Sequence, residues 1–224
     1  MKKSLFVFLT ICAGLTKVCG QNPVPVYEEP RHRPVFTNEY VRIIQARIKN
    51  KDTSLFHIHA TPSAFVFVKK ANYDNQVLGE GWTRPNYTKG YAWYSSFAAG
   101  PSIHRVAALP NDEIFAYDVE LLSSYNKTTS IGWTPFSKDT IFINEKGAGY
   151  RINLSKENPK LEINGRGPMV AILLTGQHLQ IENEGSKQKL QIKETGYTYL
   201  SPKEKYKLKI KSDSPAEVIL FEVR

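Results

Sequence analysis

Leu55-Phe56-His57-Ile58-His59-Ala60-Thr61-Pro62 carries two of the five histidines in the chain, two residues apart. On a β-strand, side chains at i and i+2 share a face. His57 and His59 then project together, while Phe56 and Ile58 pack the other way. Two imidazoles on one strand face form a ready pair of metal ligands, since imidazole suits zinc, iron, copper and nickel. His104 follows 45 residues after His59, in the strand-like run Gly100-Pro101-Ser102-Ile103-His104-Arg105-Val106. The expectation is that His57, His59 and His104 meet inside a β-barrel. A His-x-His pair can equally be two core or surface histidines, and the third histidine with its all-β surroundings favours the metal.

Outward from this stretch the signals are for strands. Val41 to Ile48 is rich in β-branched residues, and Asn50-Lys51-Asp52-Thr53 reads as a turn. Ala64 to Val68 lies beyond the interruption at Pro62. Residues 69–90 mix Asn, Gly, Pro and aromatics, as a long insertion or a broken hairpin. Tyr91 to Phe97, His104 to Leu109 and Ile114 to Leu122 continue the series. Residues 139–224 supply further short strands between glycines. These are Thr140 to Asn144, Tyr150 to Leu154, Met169 to Thr175, Leu179 to Glu182, Leu190 to Lys193, Tyr206 to Lys211 and Val218 to Val223. Many short strands at regular spacing predict a barrel or sandwich.

The chain of 224 residues, 41% apolar, has ample material for a core. Residues 1–20 combine Lys2 and Lys3 with the short apolar run Ser4 to Leu15 and the smaller residues before Gln21. They read as a secretory signal peptide, and lipidation at Cys19 is the weaker reading. Both cysteines, Cys12 and Cys19, fall in this leader. The mature chain is then expected to be exported, periplasmic or extracellular, with neither disulfide nor thiolate chemistry. Three lysines and no acid leave with the leader, taking the net charge from +9 to +6. Much of the excess lies in alternating Lys203, Lys205, Lys207, Lys209 and Lys211, which reads as the wet face of a strand. No nucleic-acid partner is expected, and no membrane span in the mature chain. Residues 21–34, with four prolines, read as an extended lead-in along the surface. His32, between Arg31 and Arg33, reads as a surface residue. Residues 126–138 read as a linker. Asn86, Asn126 and Asn153 each begin a glycosylation sequon, a short match that arises easily by chance.

Phe56-His57-Ile58-His59, with His104 in its glycine-proline-led strand, resembles the cupin superfamily. Cupins are small antiparallel jelly-roll (double-stranded β-helix) barrels with a His-x-His first motif, a glutamate a few residues later, and one more histidine in a second motif. The resemblance implies two tandem barrels. Residues 35–125 are the N-terminal one, with the metal site. Residues 139–224 are the C-terminal one, where Gly176 and the Gly196 to Pro202 turn are similar to the glycine-to-proline step of many cupins. The glutamate position falls on Ser63 or Ala64, and the second half holds only His178. The pattern is thus similar to bicupins in which one barrel binds metal and the other is structural. A three-histidine iron site without the glutamate also occurs in thiol dioxygenases.

The resemblance implies a divalent metal ion, Fe(II) first, with Zn, Mn, Ni or Cu open, and a small-molecule ligand or substrate. A homodimer is implied by the resemblance alone. The leading function is a metal-dependent small-molecule enzyme of the oxygenase type, and no catalytic residue is singled out. The runner-up is a non-catalytic small-molecule or carbohydrate-binding cupin with a vestigial or structural metal. A carbohydrate-binding β-sandwich is the third reading. Phe65, Phe67, Trp93 and Tyr94 are pocket or core residues on this reading, and Arg42, Arg47 and Arg105 sit on outer faces or in ion pairs.

Overall fold

A computed structural model describes residues 22–125, 139–211 and 214–224. The leader, both cysteines, the 126–138 linker and the Asn126 sequon lie outside the described residues. The described chain is built of strands, with a single 3-10 turn at Val26–Glu28 and no α-helix. The first eleven strands are β1 (Val24–Pro25), β2 (His32–Thr37), β3 (Val41–Ile48), β4 (His57–His59), β5 (Ser63–Phe67), β6 (Ala71–Val77), β7 (Trp82–Thr83), β8 (Asn86–Tyr87), β9 (Ala92–Ser95), β10 (Ser102–Ala108) and β11 (Ile114–Leu121). They form two facing sheets, ordered β1-β4-β10-β6-β7, with β8 also on β6, and β2-β3-β11-β5-β9.

The remaining strands are β12 (Thr140–Ile143), β13 (Gly147–Leu154), β14 (Lys160–Asn164), β15 (Met169–Thr175), β16 (His178–Asn183), β17 (Lys189–Lys193), β18 (Tyr197–Leu200), β19 (Lys205–Ile210) and β20 (Ala216–Val223). Their two sheets run β12-β13-β20-β15-β18 and β14-β19-β16-β17. The fold is therefore two β-barrels in tandem.

The two-residue period of the strands explains three separate apolar clusters. On β11, Ile114 and Ala116 face the interior of the first barrel, with Ala46, Ile48 and Phe67. The alternate residues Phe115, Tyr117, Val119 and Leu121 face the other way, onto Val170, Ile172, Ile219 and Phe221 of the second barrel. Strand β11 is thus buried on both faces along its length. Six of its eight residues are apolar or aromatic for that reason, with Asp118 and Glu120 the two exceptions. The second barrel repeats the scheme: Met169, Ala171 and Leu173 fill its interior while Val170, Ile172 and Leu174 meet the first barrel. Polar contacts fix the docking. The Tyr117 hydroxyl donates to the Thr195 carbonyl at 2.8 Å, and the Tyr197 hydroxyl to the Val35 carbonyl at 2.9 Å.

The proline-rich lead-in is paired into the sheets at both its ends. Val24 and Pro25 run parallel to β4, and His32 to Thr37 pair with β3. Residues 69–90 form a broken hairpin, with β7 and β8 both returning to β6. The lysine-rich strand behaves as its alternation suggests: Tyr206, Leu208 and Ile210 are buried, while Lys207 and Lys209 reach Glu184 and Glu182.

Candidate metal centre

Strand pairing assembles the histidines. β4 and β10 are antiparallel neighbours, with His57 directly opposite His104. Directly opposed residues share a face of the sheet, and His59 shares it by the two-residue period. All three rings therefore enter the interior of the first barrel. They offer nitrogen atoms that lie within 4.8 Å of one another. Ring centroids are 4.6 Å apart for His57–His104, and 5.1 Å apart for both His57–His59 and His59–His104. Among the described residues, this is the only group of three or more such side chains so arranged.

The hydrogen bonds around the rings leave lone pairs for a ligand. His57 Nδ1 lies 2.9 Å from the Leu55 carbonyl, so it carries the proton and donates. That leaves Nε2 as the acceptor, and this buried atom has no hydrogen-bond partner among the described residues. His104 Nδ1 lies 2.7 Å from Asn75 Oδ1, which directs the His104 Nε2 lone pair away from Asn75 in the same way. A metal-ligating histidine commonly donates its other ring N–H to a backbone or side-chain oxygen. Burial, reinforced by the neighbouring histidines His32, His104 and His59, pushes the His57 imidazole far below its ordinary range. Burial first, then His59 and His32, lowers His104 to about 3. Both rings are neutral at neutral pH, the form that binds metal. Neutral nitrogen donors with an unpaired buried lone pair fit a divalent transition metal.

His32 is not on the surface. It is 5% exposed and lines the same cavity, its ring 4.3 Å from that of His57. Strand alternation sends it inward while its flanking arginines turn outward: Arg33 is exposed, and Arg31 reaches Asp52 at 2.8 and 2.9 Å. Glu29 holds the ring, with its Oε2 2.6 Å from His32 Nδ1. Burial opposes the charge on Glu29. His32, with the backbone N–H groups of Leu55 and Arg31, outweighs that and keeps the carboxyl below its usual range.

A second residue is added from the opposite sheet. Asp118, on the inward face of β11, is 2% exposed. Its Oδ2 lies 3.2 Å from His59 Nδ1, in contact but misaligned for a hydrogen bond. Neither of its carboxylate oxygens has a hydrogen-bond partner among the described residues. Ser63, at the place of the missing glutamate, donates its hydroxyl to the Thr61 carbonyl at 2.9 Å.

Beyond the histidines the cavity, about 240 Å³, runs between the two sheets of the first barrel. Phe65, Phe67 and Trp93 line it. Trp93 stacks on Phe65 at 4.7 Å and on Phe67 at 5.6 Å. Phe97 stacks on His59 at 5.7 Å from a left-handed backbone (φ 52), a conformation costly for a bulky residue. Tyr94 faces away, stacked on Phe142 between the barrels. Arg47 pairs with Glu113, Arg42 with Glu120, and Arg105 with Gln76. In the second barrel apolar side chains fill the interior, and the buried Glu222 is tied to Arg166 at 2.6 Å. His178 stands half-buried, outside any such cluster among the described residues.

Fold and site together define a two-barrel protein with a histidine-lined cavity in its first barrel. No protein-family model matches the sequence, and none of the curated proteins does. Solved structures match over most of the chain. AerE from Microcystis aeruginosa is 11% identical with a TM-score of 0.59, covering 88% of this chain and 98% of its own. A cupin 2 conserved barrel domain protein from Leptotrichia buccalis is 7% identical with a TM-score of 0.56, covering 86% and 88%. Salicylate 1,2-dioxygenase from Pseudoaminobacter salicylatoxidans, solved as adducts with gentisate, is 8% identical with a TM-score of 0.57, covering 84% and 70%. The chain has the cupin fold. No helix among the described residues is long and apolar enough to cross a membrane.

Proposed function

We propose that the first barrel, residues 35–125 with the strands of the lead-in, binds one divalent metal ion through His57, His59 and His104, and that the protein is a metal-dependent small-molecule enzyme of the oxygenase type. The second barrel, residues 139–224, is its structural partner. The observation that carries the reading is the buried Nε2 of His57, without a hydrogen-bond partner among the described residues, beside the imidazoles of His59 and His104. An orphaned buried polar atom costs about 1–3 kcal/mol unless something occupies it.

Three imidazole ligands leave coordination positions for a substrate or water. The ion would polarise an oxygen atom bound there. The chain's own residues do the rest. Leu55 and Asn75 fix the orientation of His57 and His104, Glu29 fixes His32 beside them, and the stacked Phe65 and Trp93 exclude water from one wall. Fe(II) is favoured because a structural neighbour is a dioxygenase. Export of the mature chain belongs to the same proposal and rests on residues 1–20, and a homodimer rests on the resemblance.

The test is metal analysis of the purified chain beside His57→Ala and His104→Ala, then oxygen uptake after anaerobic Fe(II) loading over a panel of thiols, phenols and diketones. Equal metal content in all three proteins discards the site. Metal without oxygen uptake, with ligand binding retained, leaves a binding protein in place of an enzyme.

A further inference from the structure

The cavity also limits what the ligand can be. Among the described residues that line it, none is Lys or Arg. The nearby arginines are engaged elsewhere, as Arg42, Arg47 and Arg105 show. In the metal-free chain a carboxylate, sulfonate or phosphate lying along these walls would be buried without a counter-charge, which costs several kcal/mol. The walls instead offer ring faces. Trp93 packs with Phe65 and Phe67 at interplanar angles of 12° and 30°. Flat aromatic molecules pack against such faces in offset or edge arrangements. The volume is adequate, since a cavity of roughly 150 Å³ accepts benzene and this one holds about 240 Å³.

Asp118 supplies the polar end. It is the one acidic side chain in the lining, it is 2% exposed, and neither of its oxygens makes a hydrogen bond among the described residues. A buried carboxylate in this state seeks a donor. Its Oδ2 stands 3.2 Å from His59 Nδ1, which puts the carboxylate at the histidine end of the cavity. The phenol of Tyr73 also lines the cavity, and burial raises it well above its usual range, so it adds no anion to the walls.

We infer that the cavity binds an uncharged aromatic molecule that carries a hydroxyl, with its ring against the Phe65–Trp93 wall and its O–H donating to Asp118. This deepens the proposed function by naming a ligand class for the same site.

The experiment measures affinity by calorimetry for three probes that share one ring system: 2-naphthol, 2-naphthoate and naphthalene. The full chain is used as purified and again after chelation, so that the ligand class is tested whether or not a metal is held. In the chelated protein 2-naphthol should bind at least about tenfold more tightly than either other probe. Asp118→Asn should weaken 2-naphthol by about tenfold or more and leave naphthalene unchanged, which also reports that the variant is folded. The inference is overturned if 2-naphthoate binds the chelated wild-type chain as tightly as 2-naphthol, if naphthalene equals 2-naphthol, if no probe binds, or if Asp118→Asn leaves 2-naphthol affinity as it was. The wild-type comparison decides even if the variant does not fold. Loss of metal content in His57→Ala bears on the metal reading alone.

Discussion

Glu29, whose side chain has no exposed surface, lies 2.6 Å from Nδ1 of His32 and ties the proline-rich lead-in to the histidine cluster. It also accepts the backbone N–H of Leu55 at 3.1 Å, two residues before His57. Removing one partner of a buried pair typically costs about 3–5 kcal/mol. Glu29→Ala should lose stability on that scale in urea unfolding, and Glu29→Gln, which keeps an acceptor, should lose less. A midpoint unchanged in Glu29→Ala would mean that the pair does not anchor β1 and β2.

Asn75 acts on the site through His104. Its amide oxygen fixes which nitrogen of that ring faces the cavity. Groups in this position typically govern metal affinity by about 10–100-fold. Asn75→Ala is expected to release metal to a competing chelator at a correspondingly lower chelator concentration, with His178→Ala matching wild type. Identical competition curves for Asn75→Ala and wild type would remove Asn75 from the site.

Acid should destabilise the metal-free protein. In the unfolded chain His57 and His104 take up protons near 6.5, whereas burial keeps both neutral far below that in the folded chain, His104 down to about 3. The unfolded state therefore binds more protons across this window, and stability falls as pH drops from about 6.5 towards 3. Each ring contributes up to about 1.4 kcal/mol per pH unit. Glu29, held below its usual 4.5 by His32, adds a loss of the same sign at the acid end. Urea midpoints of the chelated chain between pH 7.5 and 4.5 check this, and a flat profile contradicts it.

Phe221 sits between the barrels, 1% exposed, in the cluster that joins both. Phe221→Ala should cost about 3–5 kcal/mol. Because the cluster is shared, the barrels should still melt in one calorimetric transition. Two separated transitions in the wild-type chain would show that the contact contributes little.

Much of the first barrel is legible in the sequence, because β3, β5 and β11 are rich in β-branched and aromatic residues with a buried inner face. The His-x-His spacing places two rings on one face, and the strand around His104 brings the third. His32 was hidden by its charged neighbours; the period that turns Arg31 and Arg33 outward is the signal that would have found it. Asn75 was hidden because β6 reads Ala-Asn-Tyr-Asp-Asn-Gln-Val, too polar to stand out as a strand. Asp118 carried a signal of its own, an acid that with Glu120 interrupts the inward face of an apolar strand. The short strand β14 escaped because Lys160, Glu162 and Asn164 outnumber its two apolar residues. Why the second barrel pairs as it does was not legible at all, since its face toward the first is recognisable only once β11 is seen to lack a wet side.

That doubly covered strand has a consequence for anyone wishing to trim the protein. The same ribbon is the back plate of one chamber and the mating surface of its neighbour. Cutting the chain in two would strand Phe115, Tyr117 and Val119 against water, as a broad greasy sheet inclined to clump. The second barrel is thus expected to act as a permanent buttress, and the smallest stable form to keep both halves.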